Sequence, residues 1–304
     1  MTGARPETVA VVVVTYNRAD LLARVLAGLA AQTHLPGLVV VVDNASSDHS
    51  REVLDAGPDT LTLERVHLDD NTGGAGGFHA GVRAAYASGH DRIWLIDDDV
   101  VPAPDCLAVL MAQDEACLTS VREDLSGALV EKAATRFDLD HAWVIRPKTE
   151  MVETAYGTRA AMPERVEVQN VAFEGFLVRR EVVTAIGLPD PAYFIFYDDV
   201  DYALRARRAG HRIWAVRDAV LVRQLDFSQQ HDLAGWKGYY MYRNLFVVHR
   251  RYGANALVRA KPWAVALAVV LVSPLRGGRA EARNVLRAVR DSRGLAELSV
   301  EARP

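Results

Sequence analysis

Three consecutive carboxylates, Asp97, Asp98 and Asp99, directly follow a short apolar run at residues 93–96. Because like charges at this spacing repel one another, a folded chain tolerates them best when a divalent cation binds between them. Mg²⁺ and Mn²⁺ prefer oxygen ligands and are often shared with substrate phosphates. Alternate side chains of an extended segment point the same way, so Asp97 and Asp99 could face one ligand together. The segment therefore predicts a Mn²⁺ or Mg²⁺ site, with a solvated acidic turn as the alternative.

A second acidic group, Asp198 and Asp199, follows the aromatic segment Phe-Ile-Phe-Tyr at residues 194–197. Both begin a predicted helix over residues 198–209, which Gly210 is placed to end. Carboxylates at a helix N-terminus commonly cap free N–H groups, which would account for one of the two. The other could be a general base that deprotonates an acceptor hydroxyl.

Four glycines lie in the segment Asn-Thr-Gly-Gly-Ala-Gly-Gly-Phe at residues 71–78, just before a predicted helix over residues 77–88. Glycine allows close backbone approach, and a helix N-terminus favours anions, so the segment could cradle a phosphate. A flexible turn is the alternative. The pattern is neither a P-loop nor a dinucleotide fingerprint after the first strand, which disfavours a dehydrogenase.

Polar residues also follow the first two predicted strands, with Thr-Tyr-Asn-Arg at residues 15–18 and then Asp43 and Asn44. Asp43 could accept hydrogen bonds from a base or ribose, and Tyr16 could stack on the base. Each signal is weak alone, because turns favour Asn and Asp in any case. Together they line one edge of one sheet, which favours a ligand site.

The elements that must position these groups alternate strands with helices. Apolar runs predict strands at residues 9–15, 38–42, 61–66 and 93–96, and helical spacing predicts helices at 20–31, 47–54 and 77–88. This alternation predicts an α/β fold with a mostly parallel sheet, whose ligands bind beyond the carboxyl ends of the strands. Further strands are expected at 165–171, 176–179, 213–216 and 219–222, a helical turn at 182–186, and helices from residue 236 with breaks near Gly253 and Pro274. Residues 120–165 show no clear period.

Composition sets limits on the class of protein. The chain has 304 residues, 35 basic and 39 acidic, and half of them are apolar. This excludes a disordered or collagen-like chain and disfavours a nucleic-acid binder with one strongly basic face. Cys106 and Cys117 fit no metal pattern and make no disulfide scaffold, so a reduced, cytoplasmic setting is expected. The polar start predicts no signal peptide.

The net charge of −4 averages two unlike parts, because residues 1–253 carry about −9 and the last 51 residues carry about +5. The apolar run at residues 263–275 is too short to span a bilayer, which needs about 20 residues. Basic residues flank it: Arg259, Lys261, Arg276 and Arg279. This favours an interfacial helix on an anionic inner-leaflet membrane surface. A helix packed on the rest of the chain, or on a partner subunit of a homo-oligomer, is the alternative.

Taken together, the motifs resemble the GT-A fold, family 2 inverting glycosyltransferases, in order and spacing over roughly residues 8–250. The Gly-Gly-Ala-Gly-Gly and Phe-Ile-x-x-Asp-Asp-x-Asp-Tyr segments are most similar to the actinobacterial galactofuranosyltransferases of arabinogalactan synthesis, and the chain length to the initiating type. The resemblance implies a Rossmann-like, mostly parallel mixed sheet flanked by helices, with a catalytic domain over residues 1–234. A helical C-terminal region, membrane-associating in one interpretation, would occupy residues 235–304.

The resemblance also implies a role for each matching residue. The uridine end of the donor would be held by Thr15, Asn17, Arg18 and Asp43. Its phosphates and sugar would contact Asn71, Gly73, Gly74, Gly76, Gly77, Asp97 and Asp98. Asp97 and Asp99 would form the DXD motif that binds the metal. Asp199 would be the base, and Asp198 would position the acceptor or the donor sugar.

One position departs from the family pattern. Such enzymes usually supply a metal-binding His on the strand that follows the base helix, whereas here Arg223 or Gln224 stands in its place. His231 could reach back from the next loop, with an ordinary surface role as the alternative. The departure puts the metal affinity in question.

The expected activity is inverting transfer of galactofuranose from UDP-galactofuranose to a polyprenyl-diphosphate-linked rhamnosyl-GlcNAc acceptor, at the cytoplasmic face of the plasma membrane and without nucleic acid. The alternative within the same chemistry is a dTDP-rhamnose-dependent rhamnosyltransferase. The alternative of another class is a non-catalytic scaffold that binds a nucleotide sugar or lipid.

Overall fold

The computed structural model describes residues 7–144, 146–225, 233–276 and 279–297. Its first part is a set of parallel strands: β1 (Val9–Thr15), β2 (Leu38–Asp43), β3 (Leu63–His67) and β4 (Arg92–Asp97). Every residue of β1 and β2 is buried, as the β-branched runs predict. The helices between them are α1 (Ala19–Ala30), α2 (Ser50–Asp55) and α3 (Gly73–Ala87). Strands and helices thus alternate as the sequence predicts.

The second part of the sheet mixes strand directions. It contains β5 (Val100–Pro102), β6 (Cys117–Glu123), β9 (Arg165–Val168), β10 (Phe176–Arg179) and β11 (Ile213–Arg223). The strand order is β3-β2-β1-β4-β10-β6-β11-β5, with β9 also paired to β11. β10 runs antiparallel to both β4 and β6, whereas β11 runs parallel to β6. The expected pair of short strands is one strand, β11, with a register shift between Val216 and Val220.

Regular structure also fills the stretch that lacked a clear period. α4 (Cys106–Met111) leads into β6, and a separate antiparallel pair follows, β7 (Ala134–Phe137) with β8 (Lys148–Met151). α5 (Val152–Tyr156) continues directly from β8. β6 holds Thr, Ser, Arg and Glu although six of its seven residues are buried, so its sequence lacks the apolar run of a central strand.

The glycine-rich segment is the first turn of α3 rather than a loop before it, so the prediction that this helix begins at residue 77 was wrong. The physical reason is close packing of the helix on the sheet. A Cβ atom at Gly77 would lie 2.4 Å from Val14 Cγ1, and one at Gly81 would lie 2.3 Å from Val12 Cγ1. Glycine lets α3 lie directly against β1, which brings the N-terminus of the helix to the edge of the sheet.

Helices cover both faces of the sheet. Ala10, Val12 and Val14 of β1 belong to the core under α3 and α7 (Asp198–Arg208), and α6 (Arg180–Ile186) joins the same layer. The alternate residues of β1 face a second core with α1 and α4. This two-sided burial of one strand is the pattern of a three-layer α/β fold.

Three helices complete the described chain: α8 (Trp236–Tyr252), α9 (Ala256–Val272) and α10 (Ala280–Glu297). They break near Gly253 and Pro274, as predicted. The side chain of Asn255 caps α9 by accepting a hydrogen bond from Val258 N at 3.0 Å. Across the part of the chain that the structure describes, no helix has the length and apolar character needed to cross a membrane.

Candidate active site

The predicted site residues meet at one edge of the sheet, where β1, β2 and β4 end. In the strand register Thr15 lies beside Asp43, and Val14 lies beside Asp97. The N-terminus of α3 reaches the same edge, because Asn44, which follows β2, donates through Nδ2 to the Gly73 carbonyl at 2.9 Å. Ala75 N in the same turn donates to the Phe194 carbonyl at 3.1 Å. The geometry therefore gathers motifs that are far apart in the sequence.

Asp98 ties the loop after β1 to the end of β4. Its carboxylate accepts hydrogen bonds from Thr15 Oγ1 and Arg18 NH1, both at 2.8 Å, and the residue is buried. Burial raises its pKa, against the opposing charge of Arg18. Thr15, Arg18 and Asp98, all expected to contact the donor, are thus hydrogen-bonded to one another. Their direct contact with a donor stays a prediction.

Asp97 and Asp99 lie beside a third carboxylate, Glu174, in the segment before β10. Burial and the charge of Asp99 raise the pKa of Asp97 well above its ordinary value. Burial and the charge of Glu174 raise the pKa of Asp99 to about 6. A cation between Asp97 and Asp99 would lower both pKa values, because its positive charge would stabilise carboxylates that burial removes from water.

The donor atoms at this cluster fit a hard divalent cation. Asp99 Oδ1 is buried and has no hydrogen-bond partner among the described residues, while Asp99 Oδ2 lies 3.4 Å from Arg18 NH1. Within the described ranges, no three His, Cys, Asp or Glu side chains converge as a preformed metal site. A cation held by Asp97 and Asp99 would therefore need further oxygen ligands from substrate phosphates or water.

Arg223 and Gln224, the two residues that could stand where the family pattern expects His, both contact this cluster. The buried guanidinium of Arg223 donates to Glu174 Oε2 at 2.5 Å, and its charge lowers the pKa of Asp99. Gln224 contributes its backbone, since its N–H donates to the Asp99 carbonyl at 2.8 Å. His231 lies outside the described residues.

Glu174 has a second cationic partner, Arg122 of β6, at 2.5 Å. Burial alone would raise the pKa of Glu174, but Arg122 and Arg223 outweigh it and lower that pKa. Arg122 also pairs with Glu131 at 3.0 Å. Sequence reasoning missed Glu174, Arg122 and Glu131 because none of them belongs to a recognisable motif, and only folding brings them together.

Asp43 and Asn17 are held by their own surroundings. The fully buried Asp43 carboxylate accepts hydrogen bonds from Ser46 N at 2.9 Å and from Arg51 Nε at 3.2 Å, and it lies 3.2 Å from His67 Nδ1. Burial would raise its pKa, but these hydrogen bonds lower it. Asn17 has a positive φ of 53°, and its Oδ1 accepts from Ser47 N at 2.7 Å. These contacts shape the edge of the sheet where the nucleobase of the donor is predicted to bind.

The first turn of α3 is organised by two asparagines. Asn44 Oδ1 accepts from Thr72 N at 2.9 Å, and Asn44 Nδ2 donates to the Gly73 carbonyl at 2.9 Å. Asn71 Oδ1 accepts from Gly73 N at 2.8 Å. With the N–H groups of Thr72 and Gly73 engaged, the turn is less open to an anion than the sequence suggested, and within this run a Cβ atom would meet open space at Gly74.

The second acidic group begins α7. Asp198 is buried, and Asp199 is half-buried. Burial and the charge of Asp199 raise the pKa of Asp198 well above its ordinary value. Burial raises the pKa of Asp199 to about 6, although Lys148 of β8 lowers it. Asp199 Oδ1 accepts a hydrogen bond from Val200 N at 2.7 Å. A carboxylate with such a pKa can accept a proton near neutral pH.

The aromatic segment before α7 is strained and firmly held. Phe194, Phe196 and Tyr197 all have positive φ angles, between 64° and 67°, which non-glycine residues seldom adopt. The fully buried Asn244 of α8 donates to the carbonyls of Tyr193, Ile195 and Phe196 at 2.7 to 2.9 Å. Side-chain contacts from α8 therefore fix the backbone that presents the acidic pair.

Asp201, the third carboxylate of this segment, is structural. It is fully buried, and it accepts hydrogen bonds from Tyr252 OH at 2.6 Å, Tyr193 OH at 3.0 Å and Arg205 Nε at 2.9 Å. These contacts join α7 to α8. A buried carboxylate whose lone pairs are satisfied within the protein serves packing and position rather than proton transfer.

Comparison with known proteins gives the family. The family model described as "Glycosyltransferase like family 2" matches residues 6–240. Galactofuranosyltransferase GlfT1 of Mycobacterium tuberculosis is 35% identical over 208 residues, which is 67% of this chain and 66% of that protein. The alignment thus spans about two-thirds of the relative's length. The GlfT1 of Mycolicibacterium smegmatis is 32% identical over 207 residues, 67% of each chain.

Solved structures agree on the fold. Mannosyltransferase PcManGT from Pyrobaculum calidifontis, in complex with GDP-Man and Mn²⁺, superposes with a TM-score of 0.58 at 18% identity, covering 95% of this chain and 89% of that one. The mixed sheet, the helices on both faces and the helical C-terminal region are those of a GT-A protein with a C-terminal extension. The order of the acidic and glycine-rich motifs and the match over residues 6–240 lead to one conclusion, that this chain belongs to glycosyltransferase family 2.

Proposed function

We propose that the protein is an inverting galactofuranosyltransferase that uses UDP-galactofuranose and Asp199 as the base. The observation that carries this proposal is the electrostatic link between the two acidic groups. Burial is the main cause of the raised pKa of both Asp99 and Asp199, and the charge of Glu174 adds to it at each, so the DXD carboxylates and the base lie within reach of one side chain. A single displacement needs such proximity between the leaving diphosphate and the attacking hydroxyl.

In this mechanism Asp199 removes the proton from the acceptor hydroxyl as its oxygen attacks the anomeric carbon. The bond from that carbon to the diphosphate oxygen breaks, and UDP leaves from the opposite face of the sugar. Asp97 and Asp99 would hold a Mn²⁺ or Mg²⁺ ion, which supplies positive charge for the leaving diphosphate. The nearby Arg223 adds a fixed positive charge to this end of the site.

The choice of donor rests on similarity to galactofuranosyltransferases at 32 to 35% identity. The decisive experiment measures transfer from UDP-galactofuranose and from dTDP-rhamnose to a synthetic polyprenyl-diphosphate-linked rhamnosyl-GlcNAc acceptor. Turnover of dTDP-rhamnose alone would overturn the proposed donor. A wild-type protein that binds UDP but turns over neither donor would be the scaffold instead. Asp199→Asn should abolish transfer and keep UDP binding, which calorimetry can measure.

The metal is tested by binding as well as by activity. We expect Mn²⁺ to increase the affinity for UDP, measured by calorimetry, and Asp99→Asn to remove most of that increase. Glu123, which pairs with Arg159 at 2.7 Å, gives a matched control, because Glu123→Gln changes a carboxylate outside this cluster. Equal UDP affinity with and without Mn²⁺ would refute the use of the metal at this site.

We also propose that α9 places the enzyme on an anionic membrane surface. Residues 262–272 of α9 contain no charged residue, yet only one side of the helix is covered, by packing that buries Val258, Pro262 and Ala266. The opposite side exposes Leu267 (62%) and Leu271 (67%) to solvent. A helix that is apolar on all sides is normally buried, so we expect the exposed apolar side of α9 to be covered by a membrane or by another protein surface.

Charge favours a bilayer as that cover. The guanidinium of Arg293 lies 4.4 Å from the centre of the Trp263 ring, at the border of the exposed apolar side, and Arg250 lies 6.0 Å from it. At a membrane surface, the basic side chains would contact the anionic headgroups and the apolar side of the helix would contact the acyl chains. Trp is common at the boundary between these two regions.

Vesicle sedimentation tests this placement. We expect binding to vesicles that contain phosphatidylglycerol and much weaker binding to phosphatidylcholine alone. The double substitution Leu267→Glu with Leu271→Glu should abolish it, whereas Leu125→Glu, at another exposed leucine (69%), should not. Equal binding by both variants would overturn the assignment. A dimer that the double substitution dissociates would mean that a second copy covers this side.

A further inference from the structure

Aromatic side chains project from the first two turns of α8 toward the active site. Trp236, Tyr239, Tyr240 and Arg243 lie at spacings of i, i+3, i+4 and i+7, so they share one side of the helix. Tyr240 stacks on Phe194 with ring centres 4.9 Å apart and planes at 23°. Trp236 meets both rings edge-on, at 6.3 Å from Phe194 and 6.0 Å from Tyr240. We call Phe194, Trp236 and Tyr240 the aromatic platform.

The platform adjoins both ends of the proposed reaction. On one side, Phe194 rests on the first turn of α3, where a Cβ atom at Gly73 would lie 2.0 Å from the Phe194 carbonyl oxygen. On the other side, Phe194 comes four residues before Asp198 in the same strained segment. The platform therefore borders the space between the glycine turn and the acidic pair of α7.

The rings are held in place before any ligand binds. Arg243 donates to the carbonyls of Ala192 at 2.7 Å and Tyr193 at 2.9 Å, and its guanidinium lies 4.8 Å from the centre of the Tyr240 ring. Asn244 fixes the carbonyls on either side of Phe194. Trp236 nevertheless stays 58% exposed, so the cluster is not a buried core. A rigid and partly open aromatic surface is suited to binding a flat apolar face.

We infer that the aromatic platform is the acceptor subsite, on which the ring of the acceptor sugar stacks. This inference rests on the proposed function and names the part of the site that would hold the second substrate. A sugar ring presents an apolar C–H face and polar edges, and an aromatic ring can cover that face while the hydroxyls stay solvated. Charge is complementary too, because Lys237 Nζ, 5.7 Å from the Trp236 ring centre, and Arg243 would attract an anionic diphosphate-linked acceptor.

A soluble acceptor separates stacking from lipid contact. We would use an octyl-linked rhamnosyl-GlcNAc disaccharide, which lacks the diphosphate and the long polyprenyl chain. Trp236→Ala should raise the KM for this acceptor about tenfold and change kcat by less than about threefold. Trp236→Phe should restore most of the loss. Trp143→Ala is the matched control, since Trp143 is also an exposed Trp (78%) and packs on His141 rather than on the platform.

A binding measurement keeps the two proposals distinguishable. Saturation-transfer NMR with the same disaccharide and no donor should show ring contacts that Trp236→Ala removes and Trp143→Ala keeps. If wild-type protein transfers sugar but Trp236→Ala leaves both KM and these contacts unchanged, the platform is refuted and the proposed function survives. If the contacts depend on Trp236 although no donor is turned over, the platform survives and the proposed activity fails. Equal effects of the two Trp substitutions would also overturn the platform.

Discussion

Replacing the base should make the protein more stable at neutral pH. The pKa of Asp199 lies near 6 in the folded protein, against 3.8 as its ordinary value, chiefly because of burial. A raised carboxylate pKa means that the folded state binds a proton more tightly than the unfolded state. The raised pKa therefore costs folding free energy that grows between about pH 3.8 and pH 6 and reaches its full size above that range. Asp199→Asn removes that cost and, at the same time, the proposed base.

The size of the gain follows from the two pKa values. Linkage between them gives about 3 kcal/mol at pH 7.5 and about half of that at pH 5, where the folded carboxyl is already mostly protonated. Solvent screening at this half-buried side chain reduces both figures, so we expect about 2 and about 1 kcal/mol. The fall in the gain with decreasing pH is the distinctive sign, because a packing effect would not depend on pH.

Urea unfolding of wild type and Asp199→Asn at pH 7.5 and pH 5 measures both figures. Asp59→Asn is the control, since Asp59 is exposed, and its free energy of unfolding should change by less than about 0.5 kcal/mol at either pH. A variant that is less stable than wild type at pH 7.5 would contradict the reasoning. A gain of the same size at both pH values would do so as well.

Three further substitutions test the environment of the site. Lys148→Met should move the acidic limb of the kcat/KM profile about one pH unit upward, because the charge of Lys148 lowers the pKa of Asp199, and Lys148→Arg should leave the limb in place. Asn244→Ala should lower the free energy of unfolding by about 2 to 4 kcal/mol in urea titrations, since three carbonyls each lose a hydrogen bond, and should reduce kcat. Gly77→Ala should lower the same free energy by about 1 to 3 kcal/mol through a clash with β1, whereas Gly74→Ala, which meets open space, should change it by less than about 0.5 kcal/mol.

Much of this architecture could be predicted because it rests on local patterns. The β-branched runs of β1 and β2 mark strands that are covered on both faces, and strand ends in a parallel sheet meet at one edge. That edge gathers the motifs after β1, β2 and β4, as expected. The helical region after residue 236 and its two breaks also follow from periodicity and from the positions of Gly253 and Pro274.

What could not be predicted depends on contacts between distant segments. Glu174 and Arg122 carry no motif, and their meeting requires β6 and β10 to pair. The glycine run was expected as a loop because its composition is that of a turn, and close packing of α3 on β1 makes it helical. Asn244 gives no sequence signal, although it donates to three carbonyls in and just before the strained segment.

The balance of buried charge distinguishes the carboxylates that hold the fold from those left for chemistry. Glu174 is matched by Arg122 and Arg223, and its pKa is lowered. Asp97 and Asp199 keep raised pKa values, because burial exceeds the help of nearby cations. A buried carboxylate that the protein does not neutralise is stabilised most by binding a positive charge from outside the protein. In the proposed mechanism that charge is a divalent cation at Asp97 and Asp99 and a proton at Asp199. The fold thus stabilises the charge of Glu174, and under the proposed function the unfavourable free energy that remains at Asp97, Asp99 and Asp199 would favour binding of a cation and removal of the acceptor proton.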